Sequence, residues 1–195
     1  MSPTQARSTT TRARILSAAQ AQFAKDGYER ATIRAVASLA GTDPALVIRY
    51  YGSKEGLFAA ATHFDLCLPS LDHVAHADIG ETLVRHFLAL WEGNPADPSL
   101  RILLRAAVTH AEAATRIRGL FAEQVLPAIR VVAPDRPALR AGLVASQILG
   151  LALCRYILEV PPLVDMKPDD VIACIAPTLQ RYLAAPLDGG FTANA

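Results

Sequence analysis

The chain has 195 residues, of which 52% are hydrophobic, enough for a sizeable core and too many for wholesale disorder. Its net charge is only +1, but residues 1–54 hold eight Lys or Arg against three acidic residues, whereas the remainder holds 11 against 15. A basic N-terminal segment on an otherwise acidic chain indicates that this segment binds a polyanion.

The cysteine content and hydropathy predict a cytoplasmic protein. Cys67, Cys154 and Cys174 are an odd and sparse set, which excludes a disulfide framework. The N-terminus lacks the apolar core of a signal peptide, and the longest uncharged apolar stretch, residues 141–154, is too short to span a bilayer.

The first predicted elements are an arm and a helix. Residues 1–10 are rich in Ser and Thr without periodicity, so they predict a flexible arm. From Thr11 apolar residues recur at helical spacing, and this first helix should end near Gly27. Arg7, Arg12 and Arg14 are either part of an arm that reaches DNA or part of a solvated tail.

The second and third predicted helices are short and separated by a tight turn. Thr32 is the expected N-cap of the second helix and Gly41 its stop signal. Asp43 and Pro44 supply a cap and a first helical residue for the third, which Gly52 ends.

The remaining pattern is also helical. A fourth helix should run from Ser53 to Leu68, where Pro69 closes it. Further helices are predicted over about 79–91, 100–108, 117–125, 137–160 and 168–183, and the loop before the second of these contains Asn94-Pro95 and Asp97-Pro98. Pro127 should kink or break the seventh helix. With no convincing strand signal, the sequence predicts an all-α fold of about nine helices.

Residues 33–51 have the layout of a helix-turn-helix. In such a unit the first helix braces across the DNA backbone and the second lies in the major groove. Val47 and Tyr51 can face the core of the domain. Pro44 and Ala45 would then lie nearest the bases and could meet thymine methyl groups, while Arg49 could reach a guanine or a phosphate.

Spaced positions over residues 11–58 resemble the N-terminal DNA-binding domain of TetR-type repressors. They are Ile15-Leu16, Ala18-Ala19, Phe23, Gly27, Thr32-Ile33, Val36-Ala37, Ala40-Gly41 and the run from Tyr50 to Phe58. The resemblance implies a sequence-specific transcriptional regulator, expected to be a repressor released from a palindromic operator by a small-molecule effector. It implies phosphate contacts by Thr32, Tyr50 and Lys54.

The resemblance also implies a three-helix DNA-binding domain over residues 11–54, a helical effector-binding and dimerisation domain over 55–184, and a loose tail over 185–195. The predicted DNA-contacting residues are Thr32, Arg34, Thr42, Pro44, Ala45, Leu46, Arg49, Tyr50 and Lys54. Family members often have Val-Ser-Lys-Gly-Thr where residues 42–46 read Thr-Asp-Pro-Ala-Leu, so Asp43 would repel any phosphate that it faced.

Small residues recur every four positions in the helix predicted over residues 137–160. Small residues at this spacing let another helix approach closely, either from a second copy of the chain or from within the same monomer. Palindromic half-sites require two-fold symmetry, which favours the homodimer. The predicted interface residues are Gly142, Ser146, Gly150, Cys154, Ile175 and Leu179.

The body offers apolar and aromatic residues that suit a largely apolar effector, although residues at helical spacing are more often simply core. The predicted pocket residues are Phe64, Phe87, Trp91, Leu104, Phe121 and Gln147, with His63, His86 and His110 as further polar groups. The sequence predicts no cofactor.

Three alternatives remain open. His63 and Cys67 lie four residues apart and suggest a metal sensor, but no compact ligand motif accompanies them, so scattered surface histidines are favoured and no metal site is predicted. An all-α enzyme is disfavoured because no nucleophile elbow, phosphate loop or dinucleotide motif occurs. The third is a protein-binding adaptor on the same scaffold.

Overall fold

The computed structural model describes residues 3–93 and 98–187, and within these ranges every regular element is a helix. The helices are α1 (Pro3–Arg30), α2 (Ile33–Leu39), α3 (Pro44–Tyr51), α4 (Lys54–Ala61), α5 (Ile79–Glu92), α6 (Ser99–Ala107), α7 (Ala111–Leu120), α8 (Leu126–Val132), α9 (Pro137–Ala152), α10 (Pro161–Val164) and α11 (Pro168–Ala184). With α7 and α8 counted as one helix, nine of ten have seven residues or more. The prediction of an all-α fold with about nine helices is confirmed.

The start of α1 differs from the sequence pattern, and its break agrees with that pattern. The helix begins at Pro3 rather than at Thr11, because the Ser/Thr-rich segment contains no glycine or second proline to stop it. It breaks at Gly27, whose φ of 73° and ψ of 172° are not helical, where the first helix was expected to end. The predicted tail lies outside the described residues from position 188 onward, as do positions 94–97 of the predicted loop.

The fourth helix is shorter than predicted. It ends at Ala61 instead of Leu68, and the Thr62 hydroxyl donates a hydrogen bond to the carbonyl of Phe58 (2.7 Å). Beyond it, the backbone N–H of Leu66 donates to Gln124 Oε1 (2.8 Å). A side chain distant in sequence, that of Gln124, thus supplies a partner that a continued helix would have provided from its own backbone.

Proline and the end of α9 both coincide with π-helical turns. The expected break at Pro127 takes the form of a π-helical turn, Phe121–Val125, that joins α7 to α8 and ends two residues before the proline. A second π-helical turn, Leu153–Ile157, extends α9. In a π-helical turn each backbone hydrogen bond spans one more residue than in an α-helix. The helix can therefore continue past a point where the regular α-helical hydrogen bonds are disrupted.

The chain divides into two compact units. The first comprises Met1–Asp65 with Pro95–Arg118, and its core contains Ile15, Val47 and Leu57, all fully buried. This unit therefore includes α4 and α6, which lie outside the 11–54 boundary expected for the DNA-binding domain.

The second unit, Leu66–Asn94 with Gly119–Ala195, packs α5 closely on α11. Gly80 permits this approach: a Cβ atom there would lie 2.5 Å from the carbonyl oxygen of Ala176 and 2.8 Å from the N of Gln180. Its own N–H donates to Gln180 Oε1 (2.9 Å). The same side chain donates to the carbonyl of His76 (2.7 Å), which fixes the start of α5.

The segment Pro137–Ile157 is long and apolar enough, by length and composition alone, to cross a membrane. It nevertheless carries two buried arginines with partners in the same unit. Arg140 donates to Asp135 Oδ2 (2.5 Å) and to the carbonyl of Tyr182 (2.6 Å), and Arg155 donates to Glu92 Oε1 (3.0 Å). These paired charges favour protein packing over a lipid environment.

Candidate nucleic-acid interface

Side-chain caps and one glycine build the α2–turn–α3 unit. The Thr32 hydroxyl accepts a hydrogen bond from the N–H of Ala35 (3.1 Å) at the start of α2. Asp43 Oδ1 accepts from the N–H of Ala45 (2.7 Å) at the start of α3. Gly41 has a φ of 60°, a left-handed conformation that glycine adopts without strain. Asp43 therefore caps its own helix, as the sequence predicts.

Arg14 braces the turn between α2 and α3. Its guanidinium group donates to the carbonyl of Ala40 and, through Nη2, to the carbonyl of Gly41 (3.1 Å). The sequence left a DNA-reaching arm and a solvated tail open for this residue, and the structure places it within α1. Its partners are backbone oxygens at the end of α2, which no side-chain pattern in the sequence reveals.

Helix α3 has one inner and one outer face. Val47 is fully buried, and the half-buried Tyr51 donates its hydroxyl to the carbonyl of Arg12 (3.1 Å). Burial raises the pKa of Tyr51. Pro44 and Ala45 are exposed on the outer side. The outer side is therefore free to contact a partner.

Tyr50 forms the centre of a positively charged cluster. The guanidinium carbons of Arg12 and Arg49 lie 5.1 and 5.6 Å from the centre of its ring. The Tyr50 hydroxyl and Ser8 Oγ are 3.2 Å apart. This hydrogen bond, with the nearby Arg49, lowers the pKa of Tyr50. Two cations around a phenol form a group suited to an anionic oxygen.

Lys54 is held in place at the start of α4. Its Nζ lies 4.4 Å from the centre of the Tyr28 ring and donates to the carbonyl of Glu29 (3.0 Å). Tyr28 in turn donates to Glu55 Oε1 (3.0 Å), and burial together with this bond raises the pKa of Tyr28 to about 12. The Tyr28 ring also stacks on His110, with 3.9 Å between the ring centres. The ammonium group is thus pre-positioned at the start of α4.

We expect Lys54→Ala to weaken binding to every duplex by about tenfold and to lower the slope of log K against log salt by about one. The reason is that a phosphate contact carries charge but no base information. Fluorescence anisotropy across a salt series measures both, with the exposed Lys25→Ala as the matched control. A changed base preference at an unchanged slope would contradict a phosphate contact.

All nine predicted DNA-contacting residues lie in the first unit, on α2, the turn, α3 and the start of α4, and none is buried. Sequence analysis missed Ile48, which is 43% exposed on α3. Its spacing of four from Pro44 and three from Ala45 places it on the same face, which is the signal that could have found it.

The predicted pocket residues are divided between the two units. Phe64 and Leu104 belong to the first unit, whereas Phe87, Trp91, Phe121 and Gln147 belong to the second. Within the second unit Phe87 and Trp91 lie 6.1 Å apart between ring centres. Phe87 and Leu104 are buried, as core residues are.

Tyr156 completes this aromatic cluster and was missed from the sequence. It stacks on Trp91 at 4.6 Å with an interplanar angle of 5°, and its ring centre is 6.0 Å from Phe87. Its hydroxyl donates to Glu92 Oε1 (2.8 Å), and burial raises the pKa of Tyr156. The separation of 65 positions between Trp91 and Tyr156 explains why no local pattern links them.

The predicted interface residues divide by exposure. Ser146 and Gly150 are exposed, and Gly142, Cys154 and Ile175 are half-buried. Leu179 is fully buried within its own unit, so it has no surface to offer a partner. Its place in the predicted interface is a correction, because spacing alone does not say which neighbour covers a residue. A Cβ atom at Gly142 or Gly150 would meet nothing within 4 Å.

The histidines and Cys67 do not assemble into a metal site in the part of the chain that the structure describes. No group of three or more His, Cys, Asp or Glu side chains there could hold a metal ion. His86 instead pairs with the carbonyl of Leu66 (2.7 Å).

Comparison with known proteins identifies two matching family models. Residues 15–61 match the model of bacterial regulatory proteins of the tetR family, and residues 77–183 match that of the tetracyclin repressor-like C-terminal domain. A TetR-family regulator from Streptomyces coelicolor A3 has a similar crystal structure, with a TM-score of 0.66 and 31% identity over 90% of this chain and 95% of that one. No curated protein matches the chain.

Proposed function

This chain belongs to the TetR family of bacterial regulatory proteins, and we propose that it is a cytoplasmic, dimeric repressor that a small molecule releases from a palindromic operator. Membership makes it a DNA-binding transcriptional regulator. The observation that carries the proposal is the outer face of α3, exposed and bordered by the arginines around Tyr50.

Base reading is assigned to α3. Pro44 and Ala45 present small apolar surfaces, and Arg49 presents the one guanidinium of this helix. Arginine pairs with the O6 and N7 atoms of guanine through two hydrogen bonds, a contact worth about 1–3 kcal/mol of discrimination. Thr32, Tyr50 and Lys54 would hold phosphates and fix the register of the helix in the groove.

We expect Arg49→Ala to weaken binding to the selected operator by about tenfold or more and to relax the preference at one base pair in each half-site. Repeating the selection of duplexes from a random pool with the variant measures both effects. Exposed Arg101 lies on α6, so Arg101→Ala is the matched control. Unchanged affinity and selectivity would remove Arg49 from the reading surface.

The dimer is assigned to the outer side of α9 with Ile175 of α11. Gly142, Ser146 and Gly150 succeed each other at four-residue spacing on α9, and added Cβ atoms at both glycines point into open space. A glycine in a helix interior costs about 1 kcal/mol relative to alanine, so close approach of another helix is a reason to retain two. The apolar character of this helix supports the same assignment.

The effector site is assigned to the second unit, beside the aromatic cluster of Phe87, Trp91 and Tyr156. Phe121 and Gln147 would contribute to it, and Phe64 and Leu104 remain candidates. An effector lowers the affinity for DNA only if it binds one conformation more tightly than the other. The favoured conformation must be the one in which the two α3 helices of the dimer are misplaced for the half-sites. Because Trp91 is the single tryptophan of the chain, its emission reports binding directly. An apolar compound that releases DNA without changing Trp91 emission would place the effector elsewhere.

A further inference from the structure

The outer face of α3 carries an apolar patch that nothing in its own unit covers. Ile48 is 43% exposed, and Pro44 and Ala45 are exposed one helical turn before it. Residues at i, i+1 and i+4 lie on the same side of a helix, so the three side chains form one surface. We call these three residues the α3 patch. Leaving an isoleucine in water forgoes its burial energy, which favours a partner that covers it.

The surroundings of the α3 patch define the chemistry of that partner. Arg49 follows Ile48 directly, and the guanidinium group of Arg12 lies with that of Arg49 around Tyr50. An apolar surface bordered by cations suits a polyanion that presents an apolar group beside its charges. The major groove of DNA does so, because thymine places a C5-methyl group there between two phosphate backbones. A lipid surface or an acidic protein would not require so small an apolar patch beside the cations.

We propose that Ile48, with Pro44 and Ala45, reads pyrimidine C5-methyl groups in each half-site, and that this contact is a main determinant of operator choice. The proposal rests on the proposed function, since it concerns what the same helix selects. Ile48 is the specificity-determining residue that it adds.

The side chains of the α3 patch contain no hydrogen-bonding group. They cannot distinguish the 4-oxo group of thymine from the 4-amino group of cytosine by hydrogen bonding. They can only detect whether a methyl group is present at C5. Consequently 5-methylcytosine should satisfy the α3 patch where unmodified cytosine does not.

The test uses the duplex enriched by the full-length protein from a random pool. Each thymine is replaced in turn by deoxyuridine, which removes only the methyl group. We expect one or two thymines per half-site at which deoxyuridine weakens binding about fourfold, the value for one buried methyl group. Deoxyuridine outside the half-sites should have no effect. At the sensitive positions, 5-methylcytosine should bind more tightly than cytosine.

The decisive comparison is a double-mutant cycle between protein and DNA. Ile48→Ala should lose the discrimination between thymine and deoxyuridine at one sensitive position in each half-site, because the side chain that contacts that methyl group is gone. Val108→Ala truncates another exposed branched residue in the same unit and should retain the discrimination. Circular dichroism checks that both variants are folded.

Two results overturn the proposal while leaving the proposed function intact: the native protein binds every deoxyuridine duplex as tightly as the parent, or Ile48→Ala keeps the full discrimination. A pool that yields no enriched duplex would instead overturn the proposed function, and this inference with it.

Discussion

Replacing Gly150 with leucine is expected to convert the proposed dimer into folded monomers and to lower operator affinity by about 100-fold or more. Gly150 is exposed on α9, and a Cβ atom there meets nothing within 4 Å of its own chain. The protomer should therefore accept leucine, whereas a partner helix packed against the glycine could not. The affinity for the operator would fall because its two half-sites would no longer be bound by the two α3 helices of one dimer.

Light scattering measures the dimer, and anisotropy on the selected operator measures the affinity. Gly119→Leu is the matched control, because its Cβ atom would contact only Glu123 Oε1, at 3.9 Å, on a flexible side chain. A Gly150→Leu protein that still scatters as a dimer at the same concentration would move the interface away from this side of α9.

Gly80→Ala should lower the free energy of unfolding by about 2–3 kcal/mol, the cost of overpacking a close contact. The added Cβ atom would lie 2.5 Å from the carbonyl oxygen of Ala176, a backbone atom that cannot move aside without displacing α11. The same displacement would strain the hydrogen bond that the N–H of Gly80 donates to Gln180 Oε1. The loss must exceed the gain of up to about 1 kcal/mol that alanine brings to a helix.

Urea unfolding monitored by circular dichroism measures this effect, and the midpoint should shift at constant slope. Gly119→Ala gains the same helix propensity without a close contact, so its midpoint should rise or stay constant. If Gly80→Ala unfolds at the same or a higher urea concentration than the native protein, the close packing of α5 on α11 is wrong.

The α2–turn–α3 unit could be predicted from the sequence because its determinants are local. Thr32, Gly41 and Asp43 act on residues within five positions of themselves, so the spacing of caps and turn residues fixes α2 and α3. The buried position of Val47 follows from the same helical periodicity.

The features that sequence analysis missed depend on partners distant in the chain. Arg14 binds carbonyl groups 26 and 27 positions away, and backbone oxygens leave no signature in the residue pattern. The end of α4 shows the same dependence, since the side chains of Gln20 and Ser99 donate to the carbonyl of Ala61 from 41 and 38 positions away. Leu179 shows the same limit, since its apolar character fits a protomer core and a dimer interface equally well.

Selection of bound duplexes from a random pool, at low ionic strength and without any added small molecule, tests the central claim that α3 enters the major groove. The predicted result is enrichment of a palindrome whose half-sites are separated by about 10 base pairs or a multiple of one helical turn. Recovery of a folded protein that enriches no duplex sequence under these conditions would contradict it.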